Sequence, residues 1–162
     1  MIRAFNTFLY VGLLRPAPGT WGSLAALPVA LLIWIIGGPW FLLISAICLT
    51  VSGVWTIAQQ IGGQSDKDPS EVVIDEVAGQ WIALLPVTFG AYFADAPITA
   101  LWPGWVAGFL LFRLFDIWKP GPIGWADRRG DALGVMLDDV IAGVFAALGT
   151  VVFAGISHGL MQ

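Results

Sequence analysis

Charge is scarce in this chain. Of 162 residues only 7 are Lys or Arg and 11 are Asp or Glu, so charged residues make up 11% of the sequence. There is one cysteine and one histidine. A single cysteine excludes a disulfide framework and a cysteine-rich zinc site. Cys48 stands between Ile47 and Leu49 in a continuous apolar run and reads as a packing residue. A formal net charge of −4 does not suggest nucleic-acid binding. No cleavable signal peptide is expected, because Arg15-Pro16-Ala17-Pro18-Gly19-Thr20 interrupts any amino-terminal apolar stretch.

Apolar residues fill the space that charge leaves. They account for 58% of the chain, with nine Trp and 20 Gly, and the mean hydropathy is +0.85. The composition predicts an all-α integral membrane protein, one membrane-embedded domain over 1–162, with about five transmembrane helices at roughly 20 residues each. The candidate spans are 21–36, 40–61, 72–93, 102–118 and 133–156, separated by Gly37-Gly38-Pro39, Gly62-Gly63 and Lys119-Pro120. Strands are not expected, since isolated ones leave their backbone unsatisfied in lipid. Residues 2–14 are short and mixed and predict an interfacial amphipathic helix. Trp21, Trp40, Trp102, Trp105, Trp118 and Trp125 cluster near span ends, as an interfacial belt does.

This span order places Arg3, Arg15, Lys67, Lys119, Arg128 and Arg129 on one side of the membrane, while 37–39 and 94–101 contain no Lys or Arg. The positive-inside rule makes the basic side cytoplasmic. The same order brings ten of the eleven acids to that side: Asp66, Asp68, Glu71, Asp75, Glu76, Asp116, Asp127, Asp131, Asp138 and Asp139, with Asp95 the exception. Carboxylates at the edge of hydrocarbon are costly without partners. Helix capping explains one acidic pair, because acids favour amino-terminal turns. It does not explain two pairs together with Asp116, which sits at the wrong helix end for the dipole. A divalent cation partners several acids at once, and Mg²⁺ takes oxygen ligands while keeping room for a substrate phosphate. Consecutive helical residues point about 100° apart, so both members of a pair are not expected on one ion.

Arg113, Asp116 and Lys119 recur at i, i+3 and i+6, which predicts one helical face. Arg113 lies inside the end of its span, where a lone arginine costs about 2.5–3.5 kcal/mol. It reads either as a snorkelling or paired residue or as a clamp on a phosphate. Pro18-Gly19-Thr20-Trp21-Gly22-Ser23 offers small residues, hydroxyls and free amides at a helix start, a weak anion-binding pattern. Asp66-Lys67-Asp68-Pro69-Ser70 imitates an aspartyl-nucleophile motif but follows a helical run rather than a buried strand. His158, near the far terminus, argues against a histidine-dependent phosphatase. A cation carrier would need acids nearer mid-bilayer and on both sides, and the signature of CDP-alcohol phosphotransferases is absent.

Taken together, the motifs resemble those of the phosphatidylglycerophosphatase A family. The resemblance rests on residues 18–23, 73–79 (Val-Ile-Asp-Glu-Val-Ala-Gly), 112–120 (Phe-Arg-Leu-Phe-Asp-Ile-Trp-Lys-Pro), Pro122-Ile123, Asp127-Arg128 and 134–143. It implies Mg²⁺-dependent removal of the terminal phosphate of phosphatidylglycerophosphate, giving phosphatidylglycerol, in a bacterial inner membrane with the active site on the cytoplasmic side. The implied metal ligands are among Asp75, Glu76, Asp116 and Asp139. Thr20, Ser23, Arg113, Lys119 and Arg128 would bind substrate. The nucleophile is a metal-activated water or an aspartate; water is preferred, with Asp138 or Asp127 as base or acid. One departure is visible: the loop before the last acidic pair reads Arg129-Gly130-Asp131-Ala132-Leu133, where the family commonly has adjacent glycines.

Overall fold

The computed structural model describes residues 1–62 and 69–160, with side chains as far as 156. Asp66, Lys67 and Asp68 lie outside the described residues, and so does the side chain of His158. The fold is all-helical, with no strand among the described residues. Among the described residues six α-helices follow one another: α1 Ile2–Asn6, α2 Pro18–Ile61, α3 Ile74–Phe93, α4 Trp102–Trp118, α5 Pro122–Asp127 and α6 Ala132–Leu160. Among the described residues three stretches are long and apolar enough to cross a membrane: Pro18–Ile61, Ile98–Trp118 and Ala132–Ile156. They carry exposed large apolar side chains, among them Ile36, Ile47, Val51, Leu110 and Val152. An exterior of this kind suits hydrocarbon and not water.

The longest stretch, α2, is a hairpin. Gly38 is non-helical at φ 69 and ψ −167, and Pro39 follows it. Gly22 on the first limb packs on Val73, and Gly53 on the second approaches Ile74. In a straight helix 31 residues would separate those glycines by about 46 Å, so the limbs must run back along each other. Trp40 at the bend meets Phe89 near the far end of α3, with ring centroids 4.9 Å apart.

Helix α3 is the axis of the bundle and packs against α2, α4 and α6. Twelve of its twenty residues are buried. It is absent from the three membrane-length stretches because it carries Asp75, Glu76, Gln80 and Thr88; its neighbours, not lipid, surround it. Trp81 Nε1 donates to the Ala26 carbonyl at 3.0 Å, and Trp34 Nε1 donates to that of Thr88 at 3.4 Å. The first limb of α2 therefore runs parallel to α3. A Cβ on Gly143 would overlap the Gly79 carbonyl, so α6 crosses α3 almost backbone to backbone. Gly104, Gly108 and Phe112 of α4 meet Val87, Ala83 and Gly79 in turn, so α4 is antiparallel to α3. This register sets the starts of α2, α3 and α6 beside the end of α4.

The amino terminus differs from the single amphipathic helix expected over 2–14. It forms only the five-residue α1, then a left-handed run at Phe8, Leu9 and Tyr10, then a 3-10 turn at Val11–Leu13. Polar side chains end the helix by competing for hydrogen bonds. Thr7 Oγ1 accepts from the Tyr10 N–H at 3.1 Å. Asn6 donates to Gln60 Oε1 at 2.7 Å and accepts from Thr56 Oγ1 at 2.6 Å. Its carbonyl accepts from the Val73 N–H at 2.8 Å. The segment is thereby tied under the ends of α2 and α3. Arg3 pairs with Glu71 at 2.8 Å, and Arg15 donates to Ser70 at 3.2 Å. These basic residues share the end of the bundle that holds the acids.

Candidate active site

Four helix ends enclose a cavity of about 350 Å³. Pro18 and Gly19 line it from α2 with Ala17 just before it, Asp75 and Glu76 from α3, Arg113 and Asp116 from α4, and Asp138 and Asp139 from α6, with Lys119 following α4. The convergence of acids expected from span order is therefore present in the packing.

Asp75, Glu76 and Asp139 each offer a carboxylate oxygen, and these oxygens lie within 4.8 Å of one another. Both members of the first pair contribute, contrary to the expectation from helical spacing. The longer glutamate arm swings across the 100° between the two positions, and Asp75 sits in the first helical turn. Glu76 Oε2 and Asp139 Oδ1 are buried and have no hydrogen-bond partner among the described residues. Two like charges 4.8 Å apart repel by about 3.5 kcal/mol at an effective dielectric near 20. The helix dipole does not relieve three acids together.

Charge in the cavity sharpens this argument. Its lining holds five carboxylates (Asp75, Glu76, Asp116, Asp138, Asp139) against two cations, Arg113 and Lys119, and both cations are already engaged. Arg113 Nη1 pairs with Asp116 and reaches Ser23 Oγ at 3.4 Å. Lys119 Nζ bonds Asp138 at 2.7 Å and also Asp127. With every carboxylate ionised the lining carries a formal −3. An all-oxygen, acid-rich donor set of this kind fits a hard divalent cation such as Mg²⁺. Asp75, Glu76 and Asp139 are the residues that would hold it.

The other candidate residues take distinct places. Asp116 lines the cavity but lies outside the three-acid group and is held by Arg113. Lys119 does not continue the α4 face. It is the left-handed residue closing α4, at φ 49 and ψ 50, because Pro120 cannot extend the helix. That turn aims Lys119 at α5 and α6 and brings Asp127 and Asp138 onto one ammonium. Burial alone would lower the Lys119 pKa, but hydrogen bonds from its ammonium to Asp127 and Asp138 raise it above the usual lysine range. Asp138 also accepts from the Asp139 N–H at 3.0 Å. Ser23 is buried; its hydroxyl donates to the Gly19 carbonyl at 2.8 Å. Thr20, Ser23, Asp127 and Arg128 are not among the cavity-lining residues; Arg128 is exposed beside Gly124.

Three contributors escaped the sequence reading as individual residues. A Cβ on Gly19 would collide with Glu76 Oε1 and lie 3.2 Å from Arg113 Nη1, so the bare glycine leaves room for both side chains in their present places. Ser70 lines the cavity mouth and receives Arg15. Gln80, fully buried one turn along α3 from Glu76 and behind the cavity lining, has no partner at either amide atom among the described residues. The unusual loop before α6 replaces backbone freedom with a cap: Asp131 Oδ1 accepts from the Gly134 N–H at 2.7 Å. Bonds from the Arg129 guanidinium, then from Gly134, lower the Asp131 pKa.

The sequence model of the phosphatidylglycerophosphatase A family matches residues 4–154. The Escherichia coli (strain K12) protein named phosphatidylglycerophosphatase A is 37% identical over 146 residues, covering 89% of this chain and 77% of the relative. The Haemophilus influenzae protein of the same name is 37% identical over 146 residues, covering 88% and 81%. A Bacteroides thetaiotaomicron protein, provisionally named a phosphatidylinositol-3-phosphatase, is 36% identical over 141 residues, covering 80% and 79%. No solved structure matches the chain.

Proposed function

The chain belongs to the phosphatidylglycerophosphatase A family, and from that premise we propose that it hydrolyses the terminal phosphomonoester of phosphatidylglycerophosphate with Mg²⁺. The product would be phosphatidylglycerol, and the reaction would occur at the cytoplasmic face of a bacterial inner membrane. The observation that carries this reading is the three-acid group of Asp75, Glu76 and Asp139, set beside Arg113 and Lys119 in one cavity. A phosphomonoester is itself an anion, and a lining of five carboxylates against two engaged cations disfavours it. A bound divalent cation supplies the missing positive charge and polarises phosphorus.

The chain's own residues divide the remaining work. Asp75, Glu76 and Asp139 would hold the cation. Arg113, braced by Asp116 and Ser23, presents a planar fork to phosphate oxygens. Lys119 adds a point charge and holds Asp138 and Asp127 in place. Asp138, on the cavity wall, is positioned to take the proton of an attacking water, and Asp127 shares its ammonium partner. The lipid tails remain in the bilayer against the apolar exterior of α2, α4 and α6. The five passes are the two limbs of α2, then α3, α4 and α6, in a single embedded unit. Arg3, Arg15, Lys119, Arg128 and Arg129 belong to segments at the acid-bearing end, and none falls in 37–39 or 94–101, which supports a cytoplasmic site.

The test is phosphate release by the purified full chain in lipid nanodiscs with Mg²⁺. Phosphatidylglycerophosphate, phosphatidylinositol 3-phosphate and soluble glycerol 3-phosphate are offered in parallel. Phosphatidylglycerophosphate should be consumed fastest. Equal or faster release from the inositol lipid would overturn the substrate assignment, and release from none would overturn the activity.

A further inference from the structure

Gln80 is fully buried, and among the described residues neither its Oε1 nor its Nε2 has a hydrogen-bond partner. A primary amide left so inside an apolar bundle is costly, and leucine at the same position would carry no such cost. A residue that weakens the empty fold calls for a compensating contact in the occupied one. Its surroundings indicate which contact. Position 80 follows Glu76 by four residues, on the same face of α3 and one turn deeper. Glu76 Oε2, Asp139 Oδ1 and Arg113 Nε are likewise buried without partners. Gly79 packs on Phe112 and on the Asp139 carbonyl, so Gln80 lies at the level where α4 bears Arg113 and α6 bears Asp139. Gln80 does not itself line the cavity; it lies one turn below the acids, at the same level of the bundle as these unpartnered atoms.

We propose that Gln80 is a positioning residue for the cation site: its Nε2 donates to Glu76, and its Oε1 accepts from a water belonging to the cation's hydration shell. The inference rests on the reading of Asp75, Glu76 and Asp139 as cation ligands. An amide is suited to this place because it offers one donor and one acceptor and adds no further negative charge. Mg²⁺ keeps several waters when it binds carboxylates, so such a water is available. Groups that orient metal ligands in this way typically alter metal affinity 10–100-fold.

The experiment follows thermal unfolding of the full chain in nanodiscs by tryptophan fluorescence while Mg²⁺ is titrated, for the parent, Gln80→Leu and Gln80→Met. Without Mg²⁺ the variants should melt at or above the parent temperature, since two unsatisfied atoms are gone. The Mg²⁺ concentration giving half the stabilisation should rise about tenfold or more. A parent-like Mg²⁺ midpoint in a folded variant overturns the role of Gln80 and leaves the cation site standing. Failure of both variants to fold assigns Gln80 to folding and also overturns the proposal. A parent whose melting ignores Mg²⁺ overturns the cation reading and this inference together.

Discussion

Two cavities of similar size lie toward opposite ends of the bundle. The one at the helix starts, about 350 Å³, is lined by five carboxylates, Arg113 and Lys119. The other, about 300 Å³, lies between the first limb of α2 and the start of α4 and is lined by Leu27, Pro28, Leu31, Ile98, Thr99, Trp102 and Trp105. Volume does not distinguish them; cost does. An apolar recess between helices is what lipid chains or imperfect packing produce, and it needs no partner. Gathering five acids against two cations destabilises the empty protein, and such an arrangement persists where an ion or substrate offsets it. The first cavity is thus the one whose chemistry requires an explanation.

The largest expected difference comes from the acids. Asp75→Asn, Glu76→Gln and Asp139→Asn should each reduce phosphate release by more than about a hundredfold, beyond the loss typical of groups that only orient ligands. Melting temperature without Mg²⁺ should hold or rise, because each change relieves repulsion among unneutralised acids. A variant that keeps parent turnover would remove that residue from the site. Capping alone predicts the reverse pattern: about 1 kcal/mol of lost stability and little lost rate.

Next come the cations. Lys119→Ala releases Asp127 and Asp138 together and should weaken turnover strongly. Arg113→Lys should fail to recover what Arg113→Ala loses, because a lysine cannot present a fork while meeting Asp116 and Ser23. Snorkelling predicts that lysine serves as well, so near-parent turnover of Arg113→Lys would leave Arg113 a structural residue. Gly19→Ala should come third. Its new methyl displaces the Glu76 carboxylate, which can rotate away, so Mg²⁺ dependence should shift to higher concentration with a small change in melting. An unshifted Mg²⁺ profile would show that Gly19 does not set Glu76.

The smallest effect belongs to the apolar cavity. Leu31→Ala should leave phosphate release within about twofold of the parent and cost no more than about 1 kcal/mol of stability, within the ordinary range for single substitutions. A large loss of rate there would mean that the two cavities act together and would break the contrast drawn between them.

Much of the first cavity was legible in the sequence, and the reasons are specific. Span order alone gathers Asp75, Glu76, Asp116, Asp138 and Asp139 at one end, because α3 and α6 start where α4 finishes. The helical class followed from composition. Side-chain partners were less legible, since they depend on how the chain turns. Lys119 was read as one face with Arg113 and Asp116, yet Pro120 ends α4 and a left-handed turn redirects it to Asp138. Asp75 and Glu76 were not expected on one ion, yet side-chain reach puts an oxygen of each in one group. The burial of α3 was hidden because hydropathy registers its acids and Gln80 as polar and does not register the helices around them. Gln80 stood inside a motif read for its acids, and its significance comes from burial, which no spacing reveals.

Chelation tests the central claim most directly. Phosphate release from phosphatidylglycerophosphate is measured in nanodiscs for the parent and Asp139→Asn, first with EDTA and then with Mg²⁺ restored. The account predicts that EDTA abolishes release by the parent, that Mg²⁺ recovers it, and that Asp139→Asn stays inactive at Mg²⁺ concentrations saturating for the parent. Undiminished release by the parent in EDTA would contradict it.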